Sequence, residues 1–326
     1  MTPFPTATLA DLPAFGVAHY TDAEAGTGCT VCVAPEGATC GVDVRGGAPA
    51  TRETDLLQPE NTVEAVHGVV LSGGSAFGLG ASDGVMAALA EAGCGFELAG
   101  LRVPIVTGAC LFDLPVGAPV APDGSAGRAA AEAALGRVGK GSDLDQGNVG
   151  AGTGATVGKL LGPEHAMKGG FGWQGARLGD LVVVALVAVN AAGNVRGADG
   201  RWLAGAQEGG RIVSLGEALA RAAQPAQGDG PCENTTLGLV LSNAQLTKAQ
   251  AQKVSSMAHD AYARAIEPVH TTHDGDAIFT FASGPVPAPV DVVGALACTA
   301  LQGAIEGAVL SARGAYGLKA ATDLAG

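Results

Sequence analysis

The chain has 326 residues, with 18 Lys and Arg against 31 Asp and Glu, a formal net charge of −13 at pH 7. So acidic a balance argues against nucleic acid or an anionic membrane surface as partner, because both are bound through cations that neutralise them. Aromatics are 4% and charged residues 15%, yet 47% of the chain is apolar and its 52 glycines follow no short repeat, so it can bury a core.

The stretch from Met1 to Val44 contains no Lys or Arg. The basic segment of a secretory signal is missing there, and a cytoplasmic location is expected. Two strand-like runs, Thr30 to Ala34 and Gly41 to Val44, are predicted to be joined by a turn at Pro35 to Gly37. A third apolar run, Val66 to Leu71, ends at Gly73-Gly74, and Ser75 opens a helical stretch to about Glu91. Ser125 to Gly139 is alanine-rich and helical, and Gly147 to Gly158 is a glycine-dense loop. The longest uninterrupted apolar run, Leu181 to Val189, is far below the roughly 20 residues that span a bilayer and predicts a buried strand.

Residues 197–234 are the least regular part and suggest an exposed linker. Thr235 to Leu241 then predicts a strand, Thr247 to Ile266 a helix opened by a Thr247/Gln250 capping box, and Ala277 to Ala282 another strand. After Pro289 a helix of apolar and small residues reaches about Arg313. Strands apolar on both faces, interleaved with helices, predict layered α/β sheets covered by helices. The cysteines, Cys29, Cys32, Cys40, Cys94, Cys110, Cys232 and Cys298, are odd in number and scattered, so reduced thiols are expected.

Several glycine motifs fail on inspection. Gly152 to Lys159 is one residue too long for a phosphate-binding loop, and Leu160 stands where a hydroxyl must reach magnesium. Gly150 to Ala155 fits a dinucleotide fingerprint but follows no strand. Gly73-Gly-Ser75-Ala-Phe77 sits like a nucleophile elbow, but Phe77 replaces the glycine that permits so tight a turn. Cys29 and Cys32 lack a second pair for zinc, and the histidines at 19, 67, 165, 259, 270 and 273 show no ligand spacing, so each is read as a surface or satisfied core residue. Asp274-Gly275-Asp276 is read most simply as a hairpin turn, since no further oxygen ligands follow to make a calcium loop.

The Asn234-Thr235 junction offers two readings. Thr235 opens a buried strand after an irregular segment and could merely cap it. It could also attack the Asn234 carbonyl, free a new N-terminus and then use its own α-amine as general base. An α-amine has a reference pKa of about 7.7–8.0, which suits that task near neutral pH.

Taken in order, Val42-Asp-Val-Arg-Gly-Gly-Ala-Pro, Thr51-Arg-Glu-Thr-Asp-Leu-Leu, Leu71-Ser-Gly-Gly-Ser-Ala-Phe-Gly-Leu, Gly147 to Lys159, Asn234-Thr-Thr and His270-Thr-Thr-His-Asp-Gly-Asp276 resemble the DmpA-type family of self-processing hydrolases. That family includes aminopeptidases and nylon-oligomer hydrolases, and the similarity covers nearly the whole chain. The resemblance implies a single hydrolase domain over 1–326, a four-layer α-β-β-α sandwich cut into 1–234 and 235–326. Matched residue by residue, Thr235 is the nucleophile, Asn234 the residue whose bond is cut, Lys159 the active-site lysine holding the hydroxyl, and Asn190 the oxyanion-hole amide. Asp274 and Asp276 are the acidic pair that orients the hydroxyl and ammonium groups.

The implied reaction is hydrolysis of a small amide or peptide through an acyl-enzyme, with no metal or organic cofactor, in a homo-oligomer, a tetramer by analogy. The alternatives are an acyltransferase of related fold or a non-catalytic small-molecule-binding relative. Two positions depart from the pattern. Phe112 stands before Asp113 where some members have tyrosine, and Cys110 where some aminopeptidases have glutamate, which points to a broader amidase.

Overall fold

The computed structural model describes residues 4–141, 144–222 and 234–324. Among these, a nine-stranded path comprises β1 (Gly16–Asp22), β2 (Thr27–Val44), β3 (Ala50–Arg52), β4 (Val66–Ser72), β5 (Val106–Cys110), β6 (Gly170–Leu178), β7 (Leu181–Asn190), β8 (Thr235–Ala244) and β9 (Ala277–Val286). The order is β6-β7-β8-β9-β2-β4-β5-β3, with β1 also paired to β2. The main helices are α1 (Ala81–Glu91), α2 (Gly124–Leu135), α3 (Lys248–Ala265) and α4 (Val290–Ser311).

β2 makes two layers out of one path. Its first half pairs with β1 and β4, its second half with β9, and the register shifts between Val33 and Ala38. The turn expected at Pro35 to Gly37 is therefore corrected: the chain bends there and continues in the same strand. Gly37, at φ 78°, supplies the left-handed residue that an irregularity of this kind favours.

Residue alternation in the strands then sets the layers. In β7, Val182, Val184, Leu186 and Ala188 pack between the two sheets, against Leu237, Phe279 and Phe281 from neighbouring strands and Val69 and Leu71 from the facing sheet. Val183, Ala185, Val187 and Val189 pack outward against α3 and α4. On the far side, Cys29, Val31 and Val33 meet α1 and α2. The result is the expected α-β-β-α sandwich. Full burial of one Val or Leu contributes roughly 1.5–3 kcal/mol, which explains why β7 carries apolar residues on both faces.

Cys29 and Cys32 fall in different cores and cannot form a metal pair, and Cys40, Cys94, Cys110 and Cys298 are likewise free and buried. Cys232 lies outside the described residues. α4 is long and apolar enough to cross a membrane by composition, but it packs on α3, β6 and β7 as a core helix. The linker expected over 197–234 is also corrected in part. Short strands pair Gln207–Glu208 with Arg211–Ile212, and a helix covers Leu215–Ala222. Ala206, Val213 and Ala218 form a small core there with Leu160 and Leu161.

Candidate active site

One edge of the inner sheet collects four chain segments for a topological reason. β8 and β9 are parallel, with α3 as their crossover, so both begin at the same edge. β7 runs antiparallel to β8 and β2 antiparallel to β9, so both end there. Asn190, Thr235 and Asp274 to Asp276 consequently converge, and Asn190 is the register partner of Thr235. The hairpin expected at Asp274-Gly275-Asp276 is corrected: the segment enters β9 beside a parallel neighbour, and Asp274 is bridged to Asn234.

The end of β2 clamps this acidic segment. Arg45 N–H donates to the Asp276 carbonyl at 2.9 Å, Gly47 N–H to that of Thr271 at 3.2 Å and Ala48 N–H to that of Asp274 at 2.8 Å. A Cβ on Gly46 would lie 2.2 Å from the Asp274 carbonyl oxygen, so the approach requires glycine.

Thr235 is buried, and its hydroxyl donates to the Asn234 carbonyl oxygen at 2.5 Å. With a C=O bond of about 1.23 Å, Oγ1 is then within about 3.7 Å of the carbonyl carbon. Lys159 Nζ donates to Asn190 Oδ1 at 2.8 Å, Thr156 Oγ1 at 2.9 Å and the Thr156 carbonyl at 3.2 Å. Asn190 Oδ1 also accepts from the Thr156 N–H and hydroxyl, while Asn190 Nδ2 donates to the Phe112 carbonyl at 3.0 Å. A cation on the amide oxygen draws electron density from its nitrogen and strengthens the N–H donors.

Asp276 divides its oxygens. Oδ1 accepts from the Thr236 N–H at 2.7 Å, and Oδ2 from the His270 N–H at 3.1 Å, with His270 Nδ1 at 2.9 Å from the same oxygen. Asp274 Oδ2 accepts from the Thr271 N–H at 2.6 Å. Its Oδ1 is buried without a hydrogen-bond partner among the described residues. Burial, reinforced by the Asp276 charge, pushes the Asp274 carboxyl above the usual range.

The predicted residues Thr235, Asn190, Lys159, Asp274, Asp276 and Asn234 are thus brought to one place. Two others stand at the site: Thr156, which carried no assignment in the sequence and links Lys159 to Asn190, and His270, whose reading as a surface or satisfied core residue is corrected, since it holds Asp276 with a backbone φ of 58°. Both lie inside quoted motifs, the one available signal. Behind the site, Asp113 accepts from the Gly74 N–H at 2.6 Å and the Thr27 hydroxyl at 2.8 Å, and burial raises its pKa to about 6. Lys168 Nζ donates to the carbonyls of Thr153 and Ala155, pinning the glycine loop, and burial lowers its pKa to about 7. Cys110 is buried at the end of β5, where desolvation raises its thiol pKa.

The layers place the protein in a class first. The L-aminopeptidase D-Ala-esterase/amidase of Ochrobactrum anthropi, described as a variant of the Ntn hydrolase fold, matches with a TM-score of 0.66 at 16% identity, over 95% of this chain and 89% of its own. A beta-aminopeptidase of Burkholderia sp. matches with a TM-score of 0.64 at 19% identity, over 99% and 93%. The fold is therefore this variant Ntn hydrolase fold. The profile of peptidase family S58 matches residues 7–322, and the chain belongs to that family.

Among curated relatives, an uncharacterized aminopeptidase of Mycobacterium tuberculosis is 38% identical, with 97% of each chain covered. A 6-aminohexanoate-oligomer endohydrolase of Agromyces sp. is 31% identical over 84% of this chain and 74% of its own. The protein is an enzyme of the amide- and peptide-hydrolysing type.

Proposed function

We propose that this enzyme is a self-processing N-terminal-threonine hydrolase of small amides or peptides. The observation that carries the reading is the Thr235 hydroxyl resting on the Asn234 carbonyl, beside Asn190 and the acidic segment. Attack of Oγ1 on that carbonyl carbon forms an ester as the C–N bond breaks, and the hydroxyl proton passes to the Thr235 nitrogen. Water then releases residues 1–234 and restores the hydroxyl.

The new α-amine acts as general base for the hydroxyl when it attacks a substrate amide. Asp274, whose buried Oδ1 has no partner among the described residues and lies beside the junction, is the acceptor that steadies the amine in its protonated form. Asn190, polarised by Lys159, donates to the substrate oxyanion, and Asp276 fixes the strand start through the Thr236 N–H. Water hydrolyses the acyl-enzyme, and the sequence of steps needs neither a metal nor an organic cofactor.

The Phe112 carbonyl accepts from the Asn190 amide, and position 110, two residues before it, is a buried cysteine with no carboxylate to hold a free substrate amine. A broad amidase that takes short oligoamides fits this better than a strict aminopeptidase. The test is the intact mass of protein purified without protease exposure, with N-terminal sequencing of each species. Fragments 1–234 and 235–326 are expected, and a chain still whole after prolonged incubation overturns the reading.

A further inference from the structure

The Asn234 carbonyl oxygen accepts a hydrogen bond from the Gly275 N–H at 2.7 Å, in addition to that from Thr235. We propose that the Gly275 N–H is the oxyanion donor of the self-cleavage step, a separate group from the Asn190 amide that serves substrate turnover. The proposal rests on the self-processing reading and assigns its first step.

The geometry favours Gly275 on several counts. It touches the oxygen on which negative charge develops when Oγ1 bonds to the Asn234 carbon and the C–N bond is still whole. Asn190 Nδ2 spends one of its two N–H groups on the Phe112 carbonyl, which leaves the other for a substrate oxyanion, and Asn190 is opposite Thr235 in the ladder. The Gly275 donor is also held in advance of reaction. Asn234 N–H donates to the His273 carbonyl at 3.0 Å on one side, Asp276 takes the Thr236 N–H on the other, and Ala48 ties Asp274 from behind. A donor fixed before the charge appears costs little reorganisation.

A side chain at this position would crowd the hydroxyl. A Cβ on Gly275 would lie 2.6 Å from Thr235 Oγ1 and 3.0 Å from the Ala48 carbonyl oxygen. The N–H therefore reaches the scissile carbonyl from a residue with no side chain to obstruct the nucleophile.

The direct test replaces Gly275 by glycolic acid, using suppressor transfer RNA in cell-free synthesis of the full chain, so that only the N–H becomes an ester oxygen. Processing followed by mass is expected to slow about 100-fold or more against the glycine-charged control, the effect of removing one oxyanion donor. An unchanged rate overturns the assignment. Because the ester could disturb folding, Asn190→Asp supplies an independent arm, keeping the acceptor for Lys159 and Thr156 while removing the amide donor. Its turnover is expected to fall by about 100-fold, with processing reduced far less. Equal losses in both would place the self-cleavage oxyanion on Asn190. A parent chain that never cuts, or cuts elsewhere, defeats the self-processing reading itself, whereas a cutting parent with an unaffected ester chain defeats Gly275 alone.

Discussion

Asn190 and Thr235 face each other as the last residue of β7 and the first of β8, partners in one antiparallel ladder. The amide donor and the hydroxyl thus share a rigid frame with apolar residues packed on both faces. Sites built on strands hold their geometry better than sites built on loops. The same ladder explains why the β7 sequence changes from continuous apolar residues to a polar one at its end.

Thr235→Ala is expected to remain a single chain and to show no amide hydrolysis, because it loses the hydroxyl that both steps require. Thr235→Ser keeps a hydroxyl and should still cut at the same bond. Mass spectrometry and a screen of small amides check both variants. Amidase activity in the alanine variant would remove Thr235 from the role of nucleophile.

Thr156→Val should lower kcat by about tenfold with little change in KM, the scale of one lost charge-assisted hydrogen bond. The hydroxyl donates to Asn190 and accepts from Lys159, so its loss lets both groups drift while the Thr156 backbone N–H still holds Asn190. Thermal unfolding separates this from general destabilisation. A KM rise with unchanged kcat would show that Thr156 serves binding instead.

Much of this was legible in sequence because long elements carry strong signals. The Leu181–Val189 run, the Thr247/Gln250 capping box and the helix after Pro289 appear as expected, since periodicity and capping chemistry are local. The bend in β2 was not legible. Pro35 and Gly37 carry the residue types of a reversal, and only pairing with two different sheets shows that the chain goes straight on. The short pieces between Trp202 and Ala222 escaped because they are too brief to show a period. At the site, the family likeness pointed to Lys159 and Asn190, but it could not show that Lys159 Nζ donates to Asn190 Oδ1. That relation is made by side chains from separate segments.

Asp274 should set the acid limb of the pH–rate profile. Burial and the neighbouring Asp276 charge raise its pKa, so its carboxylate is lost at a higher pH than an ordinary aspartate, near 3.9, would be. Protonation removes the acceptor for the α-ammonium, and activity falls as pH drops through that raised value. Asp274→Asn should be slower at neutral pH and lack this limb. An acid limb unmoved in Asp274→Asn would assign it to another group.

Lys168 should leave a signature in stability. Its pKa of about 7 in the folded protein is below the unfolded value near 10.5, because burial disfavours the charged form. Between these values the unfolded chain binds more protons, so stability attributable to Lys168 rises with pH from about 7 towards 10, by at most about 1.4 kcal/mol per pH unit. Asp113 acts with opposite sign in another window: its raised pKa makes its own contribution fall between the reference value of 3.8 and about 6. Urea unfolding at pH 7, 8 and 9, in the uncut Thr235→Ala chain, checks the lysine. Lys168→Met should be less stable throughout, since it leaves the Thr153 and Ala155 carbonyls without their donor, and should lose the upward slope relative to its parent. Parallel curves for the two chains would mean that Lys168 keeps its proton across the whole range.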